Sequence, residues 1–128
     1  MVVNRKEKNI KPLDKIDEFL KRFNHFKNGE FRSIEVISPT IMQISLAGQD
    51  ENRAFDWMSI TLEFNSITNA QLLENKKLAL LDMNDGISII KTPDGIAFGL
   101  GHCSTLSRIQ TASCYIESST LKYKEGSF

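Results

Sequence analysis

The chain has little of what usually identifies a small protein. Its 128 residues include 2 cysteines, 2 histidines, 3 prolines and 1 tryptophan, and the 16 basic side chains cancel the 16 acidic ones. Two cysteines cannot make a disulfide framework. No apolar stretch follows the charged N-terminus, so a secretory signal is not expected. Both facts point to free thiols in a reduced, cytoplasmic setting. No apolar run nears the ~20 residues of a membrane span, so a membrane partner is not expected. A net charge of zero argues against a dedicated nucleic-acid binder, which would carry a basic excess. The charge is unevenly placed, however. Residues 1–27 hold 8 of the 16 basic residues but only Glu7, Asp14, Asp17 and Glu18 of the acidic ones, so a basic leading segment precedes a mildly acidic body.

The shortage of histidine and cysteine also limits the chemistry. His25, His102, Cys103 and Cys114 show no metal-ligand spacing, and neither a metal nor a cofactor is expected. His102 and Cys103 are adjacent, and neighbours in an extended chain point to opposite faces, so the imidazole is poorly placed to activate the thiol. Cys114 alternates with apolar residues and reads as a small buried hydrophobe. "DMNDG", residues 82–86, resembles part of a calcium loop, but its acidic positions are wrongly spaced and it reads as a turn. Gly95, Gly99 and Gly101 lack the strand–loop–helix order of a phosphate site. No nucleophile elbow is present and no carboxylate pair can be singled out.

What the sequence does contain is two clear periodicities. In residues 13–27, Leu13, Ile16, Phe19, Leu20, Phe23 and Phe26 recur at helical spacing. Pro12 suits a first turn, Asp14, Asp17 and Glu18 suit the positive end of the dipole, and Gly29 suits the stop. From Glu30 onward the period becomes two. "FRSIEVI", "IMQISL" and "WMSITLEF" alternate apolar and polar residues, as antiparallel strands with one wet face do. "AGQDENRAFD" separates the last two as a loop. Thr68 and Gln71 have capping-box spacing, which predicts a short helix over residues 69–76. "LALLD" can form a strand. "ISIIK" and "IAFGL" flank "TPDG", a tight-hairpin signal. "TASCYIESSTLKYKEG" is a long last strand, with a bulge at its two serines.

These elements predict an α+β fold. An N-terminal amphipathic helix packs on a curved, mostly antiparallel sheet or partial barrel of six to seven strands, with one short inserted helix. Residues 1–11 are expected to be a flexible segment and residues 12–128 a single domain.

The lone tryptophan sharpens the question of function. Trp57, Ser59, Thr61 and Glu63 lie opposite Met58, Ile60, Leu62 and Phe64, so Trp57 faces away from the layer that packs on the helix. Asp50, Glu51, Arg53, Asp56 and Trp57 then form a candidate partner-binding patch, an aromatic anchor with a charged rim. The competing expectation is that Trp57 covers the second face of the sheet under a loop, or pairs across strands with Tyr115.

"WMSITLEFNSITNAQLL", "LLDMNDGISII" and "ASCYIESSTLKY" resemble small bacterial proteins of unknown function and some immunity proteins of polymorphic toxin systems. The likeness spans about residues 55–123, and the N-terminal helix departs from it. It implies a cytosolic binder that neutralises a toxin by covering its active surface, and it transfers no site residue. The expected function is therefore a non-enzymatic protein-binding domain. The alternative is a small-molecule-binding protein or small enzyme, with a pocket between helix and sheet lined by Phe19, Phe23, Phe26 and Phe98. A homodimer through a strand edge is a third reading.

Overall fold

The strands assemble into one antiparallel sheet because their alternation leaves each with a single apolar face to bury. The computed structural model describes residues 10–128. Its strands are β1 (Lys11–Pro12), β2 (Glu30–Ser38), β3 (Ile41–Asp50), β4 (Asp56–Gln71), β5 (Ile87–Thr92), β6 (Gly95–Leu100) and β7 (Tyr115–Ser127). The order across the sheet is β2-β3-β4-β7-β6-β5, with β1 paired to the C-terminal half of β7. Three short helices accompany the sheet: α1 (Ile16–Arg22), α2 (Asn75–Leu78) and α3 (Leu106–Ile109).

The longest uninterrupted ladder joins β3 to β4, from Ile41 opposite Asn65 to Asp50 opposite Asp56. Its inward row is Ile44 and Leu46 on β3 with Ile60, Leu62 and Phe64 on β4, all fully buried. At roughly 1.5–3 kcal/mol for each large side chain taken out of water, this row and the stripe of α1 supply much of the drive to fold. Onto it pack Ile16, Phe19 and Leu20 of α1, followed by Phe23 and Phe26.

The helical stripe is shorter and more broken than its spacing predicts. Pro12 lies in β1, and the Leu13 N–H donates to the Leu121 carbonyl at 3.0 Å, which extends the β1–β7 ladder where a first helical turn was expected. Lys11, expected in the flexible segment, is likewise paired, opposite Tyr123; residues 1–9 lie outside the described residues. At the other end α1 stops at Arg22, and Asn24, His25 and Phe26 form a left-handed turn with φ of 52°, 56° and 56°. Such backbone costs about 1–2 kcal/mol per residue. It folds Phe26 back onto Phe23, with rings stacked at 5.0 Å, and Phe26 is wholly buried. Gly86 abuts this turn. A Cβ there would sit 2.0 Å from the His25 carbonyl oxygen, so only glycine allows the approach.

The region expected as a helix over residues 69–76 is mostly strand. β4 continues past an irregularity between Ile67 and Asn69, and Ala70 and Gln71 pair with Ile116 and Tyr115. Cross-strand bonding outweighed the local capping signal, and the helix α2 begins only at Asn75. "LALLD" holds the end of α2 and a turn, not a strand. β5 and β6 join through Pro93 and Asp94, with Thr92 opposite Gly95, as the hairpin signal predicts. In β7 the alternation resets near its serines: Ile116 and Ser118 are buried, Ser119 and Thr120 exposed, and Leu121 buried again.

Candidate functional site

Each proposed site residue takes its place from the β3–β4 hairpin. β3 runs on to Asp50, so the expected loop over residues 47–56 shrinks to Glu51–Phe55, closed by the Phe55 N–H donating to the Asp50 carbonyl at 2.8 Å. Strand alternation then sends Leu46, Gly48 and Asp50 inward, and Trp57 outward.

Asp50 is therefore no part of an exposed patch: its exposure is 0%. Arg22 of α1 clamps it with two bonds, Nε to Oδ1 at 2.8 Å and Nη2 to Oδ2 at 2.6 Å. The same guanidinium grips Glu125 of β7 through Nη1 at 3.2 Å and Nη2 at 2.6 Å. Arg53 adds a weaker contact to Asp50 at 3.4 Å, and the Asn52 N–H donates to Asp50 at 2.9 Å. Two-pronged bonds of this kind are the strong form of ion pair. Hydrogen bonding to Arg22 holds both carboxyls below the usual carboxylate range, and the two carboxylates in turn hold the Arg22 guanidinium protonated beyond its ordinary range. All the side chains are satisfied by one another, so the cluster is a latch between helix and sheet and not a reactive site.

Trp57 lies on the opposite face. It is 36% exposed and its ring lies 5.4 Å from that of Phe128, which follows β7. The guanidinium carbon of Arg32, on β2, lies 4.3 Å from the Phe128 centroid. Phe128 and Arg32 thus meet across β3 and β4, on the face to which Ala47, with no exposure, also points. Phe55, at the hairpin tip, is 60% exposed. Trp57 has Phe128 as its aromatic neighbour, whereas Tyr115 stands opposite Gln71, far along the same strand pair. Glu51, Arg53 and Asp56 are exposed around the tip, so these three of the proposed residues share one end of the sheet with Trp57. Arg32 and Phe128 escape sequence reasoning, because a bulge between Phe31 and Ser33 turns Arg32 outward and Phe128 lies beyond any alternation that could be extended to it.

The other candidates resolve into structure. The Cys103 N–H donates to Ser88 Oγ at 2.8 Å, and that hydroxyl donates to the Gly101 carbonyl at 2.7 Å. The Cys103 thiol is pushed up by burial, and that of Cys114, fully buried, up to about 11 by the same cause. His25 is pushed down by desolvation, then by Lys27 and His102. In "DMNDG" the Asn84 N–H donates to Asp82 Oδ1 at 2.8 Å, which makes a turn. Among the described residues no group of three or more His, Cys, Asp or Glu is placed to hold a metal. No helix of the described residues is long and apolar enough to cross a membrane.

Phe19, Phe23, Phe26 and Phe98 are all buried, and the first three contact one another at 5.0–6.0 Å, so packed rings occupy the place proposed for a pocket. A groove of about 590 Å³ lies outside that core, lined among others by Glu18, Phe19, Arg22, Glu51, Asn52 and Tyr123. The edge of β2 is partly guarded. The Asn75 amide accepts from the Ile34 N–H at 2.8 Å and donates to its carbonyl at 3.0 Å, taking the place of a neighbouring strand at that residue.

No protein-family model matches the chain, and neither the curated proteins nor the solved structures yield a match.

Proposed function

We propose that the chain is a non-enzymatic protein-binding domain, immunity-like in its mode of action, which docks a partner on the outward face of the sheet at the β3–β4 hairpin. The observation that carries this reading is the stack of Trp57, Phe128 and Arg32 outside the core, with Phe55 exposed at the hairpin tip. Aromatic and arginine side chains are the residues most often responsible for binding energy at interfaces, because they bury much area at small entropic cost. Glu30, ion-paired with Arg32, would supply the polar rim on this face, while Glu51, Arg53 and Asp56 lie at the hairpin end toward the latch. Asp50 takes no direct part, since it is engaged by Arg22.

The test is a paired capture. The tagged chain and its Trp57→Ala variant are used as baits, with Leu80→Ala, an exposed apolar site elsewhere, as control. A partner retained by the wild type and by the control, and weakened about 30-fold or more by Trp57→Ala, supports the reading. Equal capture by all three removes it. Trp57→Ala should leave the folded state intact, and thermal unfolding checks this.

A second reading, a small-molecule-binding protein or small enzyme, has in its favour the groove beside α1, whose volume is that of known ligand sites. It ranks second because Arg22, the strongest cation of that groove, already has its donors on Asp50 and Glu125.

A further inference from the structure

We infer that the partner presents an extended acidic segment to β7, with an apolar side chain against Trp57 and Phe128 and carboxylates over Lys124 and Lys122. This deepens, and rests on, the reading of the outward face as a docking surface. Ser59, Thr61 and Glu63 of β4 stand opposite Gly126, Lys124 and Lys122 of β7. Ile60, Leu62 and Phe64, which alternate with them, are fully buried, so the row Lys122, Lys124, Gly126 and Phe128 faces outward.

Two features of this row ask for a partner. The first is charge. Glu63 is the natural cross-strand partner of Lys122. Yet its two carboxylate oxygens accept from the Gln43 amide at 3.0 Å and the Asn65 amide at 3.1 Å. Among the described residues neither Lys122 nor Lys124 makes an ion pair. Both are half-buried, with stems along the sheet and ammonium groups left for another molecule. The second is shape. Between the lysines and the aromatic stack the outward side chains are small: Ser59, Thr61 and Gly126. A Cβ placed on Gly126 would meet only the Ser59 carbonyl oxygen, at 3.9 Å, so a backbone can lie close there.

Spacing defines the segment. Lys124 and Lys122 are four and six residues from Phe128, roughly 13 and 20 Å at the rise of a strand. An extended partner has the same rise, so its carboxylates belong four and six positions from its apolar anchor. Single-stranded nucleic acid also combines stacking with negative charge. It is disfavoured here because Glu30, opposite Ala47 and paired with Arg32, adds negative charge at the aromatic end, and the chain carries no basic excess.

Trp57 is the only tryptophan, so its emission reports on the patch directly. The probe is the peptide Ac-Phe-Gly-Ser-Gly-Glu-Gly-Glu-amide, compared with versions carrying glutamine or lysine at the two glutamates and with an oligothymidylate of eight nucleotides. The acidic peptide should shift the emission in the micromolar to millimolar range and bind about fivefold or more tightly than the glutamine version, with the advantage lost at high salt. Lys122→Gln with Lys124→Gln should abolish that advantage. Lys122→Glu with Lys124→Glu should transfer the preference to the lysine peptide, a rescue that a purely structural role for these lysines would not produce. Equal binding of all three peptides, lysine-dependent binding of the oligonucleotide, or no response to any probe at millimolar concentration each overturns the inference. The paired capture with Trp57→Ala is independent of these peptides, so an acidic segment can fail while the docking surface stands.

Discussion

The two ends of the sheet are finished by different physics. At the β5–β6 end the outward face is covered. Gly99 alternates with the buried Phe98 and so points outward, and Ile109 of α3, fully buried, sits against it: a Cβ on Gly99 would lie 3.2 Å from the isoleucine side chain. At the β3–β4 end, Trp57 and Phe128 remain partly or largely exposed on that same face, and Phe55 is exposed at the hairpin tip. What closes this end is on the inward side and is ionic, the clamp of Arg22 on Asp50 and Glu125. Apolar cover seals one end and fixes it as structure. The other end has an ion-paired cluster underneath and keeps its aromatic side chains partly exposed.

The largest effect is expected from cutting the latch. Arg22→Met should cost about 3–5 kcal/mol, because Asp50 would stay buried with only the looser Arg53 beside it. Arg53→Met, at a side chain more than half exposed, should cost less than about 1 kcal/mol. Urea denaturation measures both. A small effect at Arg22 would mean that the hairpin end is held by its apolar row alone.

Acid attacks the same latch more gently. Asp50 and Glu125 titrate below their ordinary range in the folded chain, chiefly through hydrogen bonds from Arg22. The folded form therefore binds fewer protons than the unfolded one at mildly acidic pH. Their contribution is complete above the unfolded values near 4 and is lost as pH falls through the lower folded ones. Unfolding free energy should drop below about pH 4. In Arg22→Met this part of the drop should largely vanish. An equally steep acid limb in both proteins would place the responsible groups elsewhere.

The covered end can be broken by filling it. Gly99→Leu should cost about 1–3 kcal/mol, since the added side chain meets Ile109 and must displace α3. Ser59→Leu, on the same face at the bare end, should change stability by less than about 0.5 kcal/mol. If both cost the same, the outward face at the hairpin is packed in solution and the contrast between the ends disappears.

What could be read from the sequence follows the same divide. The alternation in "WMSITLEF" placed Ile60, Leu62 and Phe64 inside and Trp57 outside, because a period of two is enforced by the strand itself. The Pro93–Asp94 hairpin was legible for a similar local reason. Asp50 was not. An aspartate before a polar loop reads as solvated, and its partner Arg22 lies 28 residues back on another element. The left-handed turn at Asn24–Phe26 was hidden because it contains no glycine and keeps the spacing of a helical stripe. α3 was missed because it is one turn long and signalled only by Thr105, whose hydroxyl accepts from the Arg108 N–H at 3.3 Å. Long-range partners and strained turns are decided by the whole fold, and local pattern does not record them.

The smallest expected effect concerns the tip that carries Phe55. Ala54 and Phe55 both have left-handed backbone, with φ of 54° and 65°, where a Cβ is unfavourable. Ala54→Gly removes one such penalty of about 1 kcal/mol, offset in part by the greater freedom of glycine in the unfolded chain. The net result should be a gain of about 0.5 kcal/mol and a rise in Tm of about 1–4 °C. The Asp50–Phe55 closure does not use the Ala54 side chain, so Trp57 emission should be unchanged. A loss of stability with altered emission would show that the alanine methyl holds the hairpin tip in place, and the bare end would then owe part of its shape to apolar packing after all.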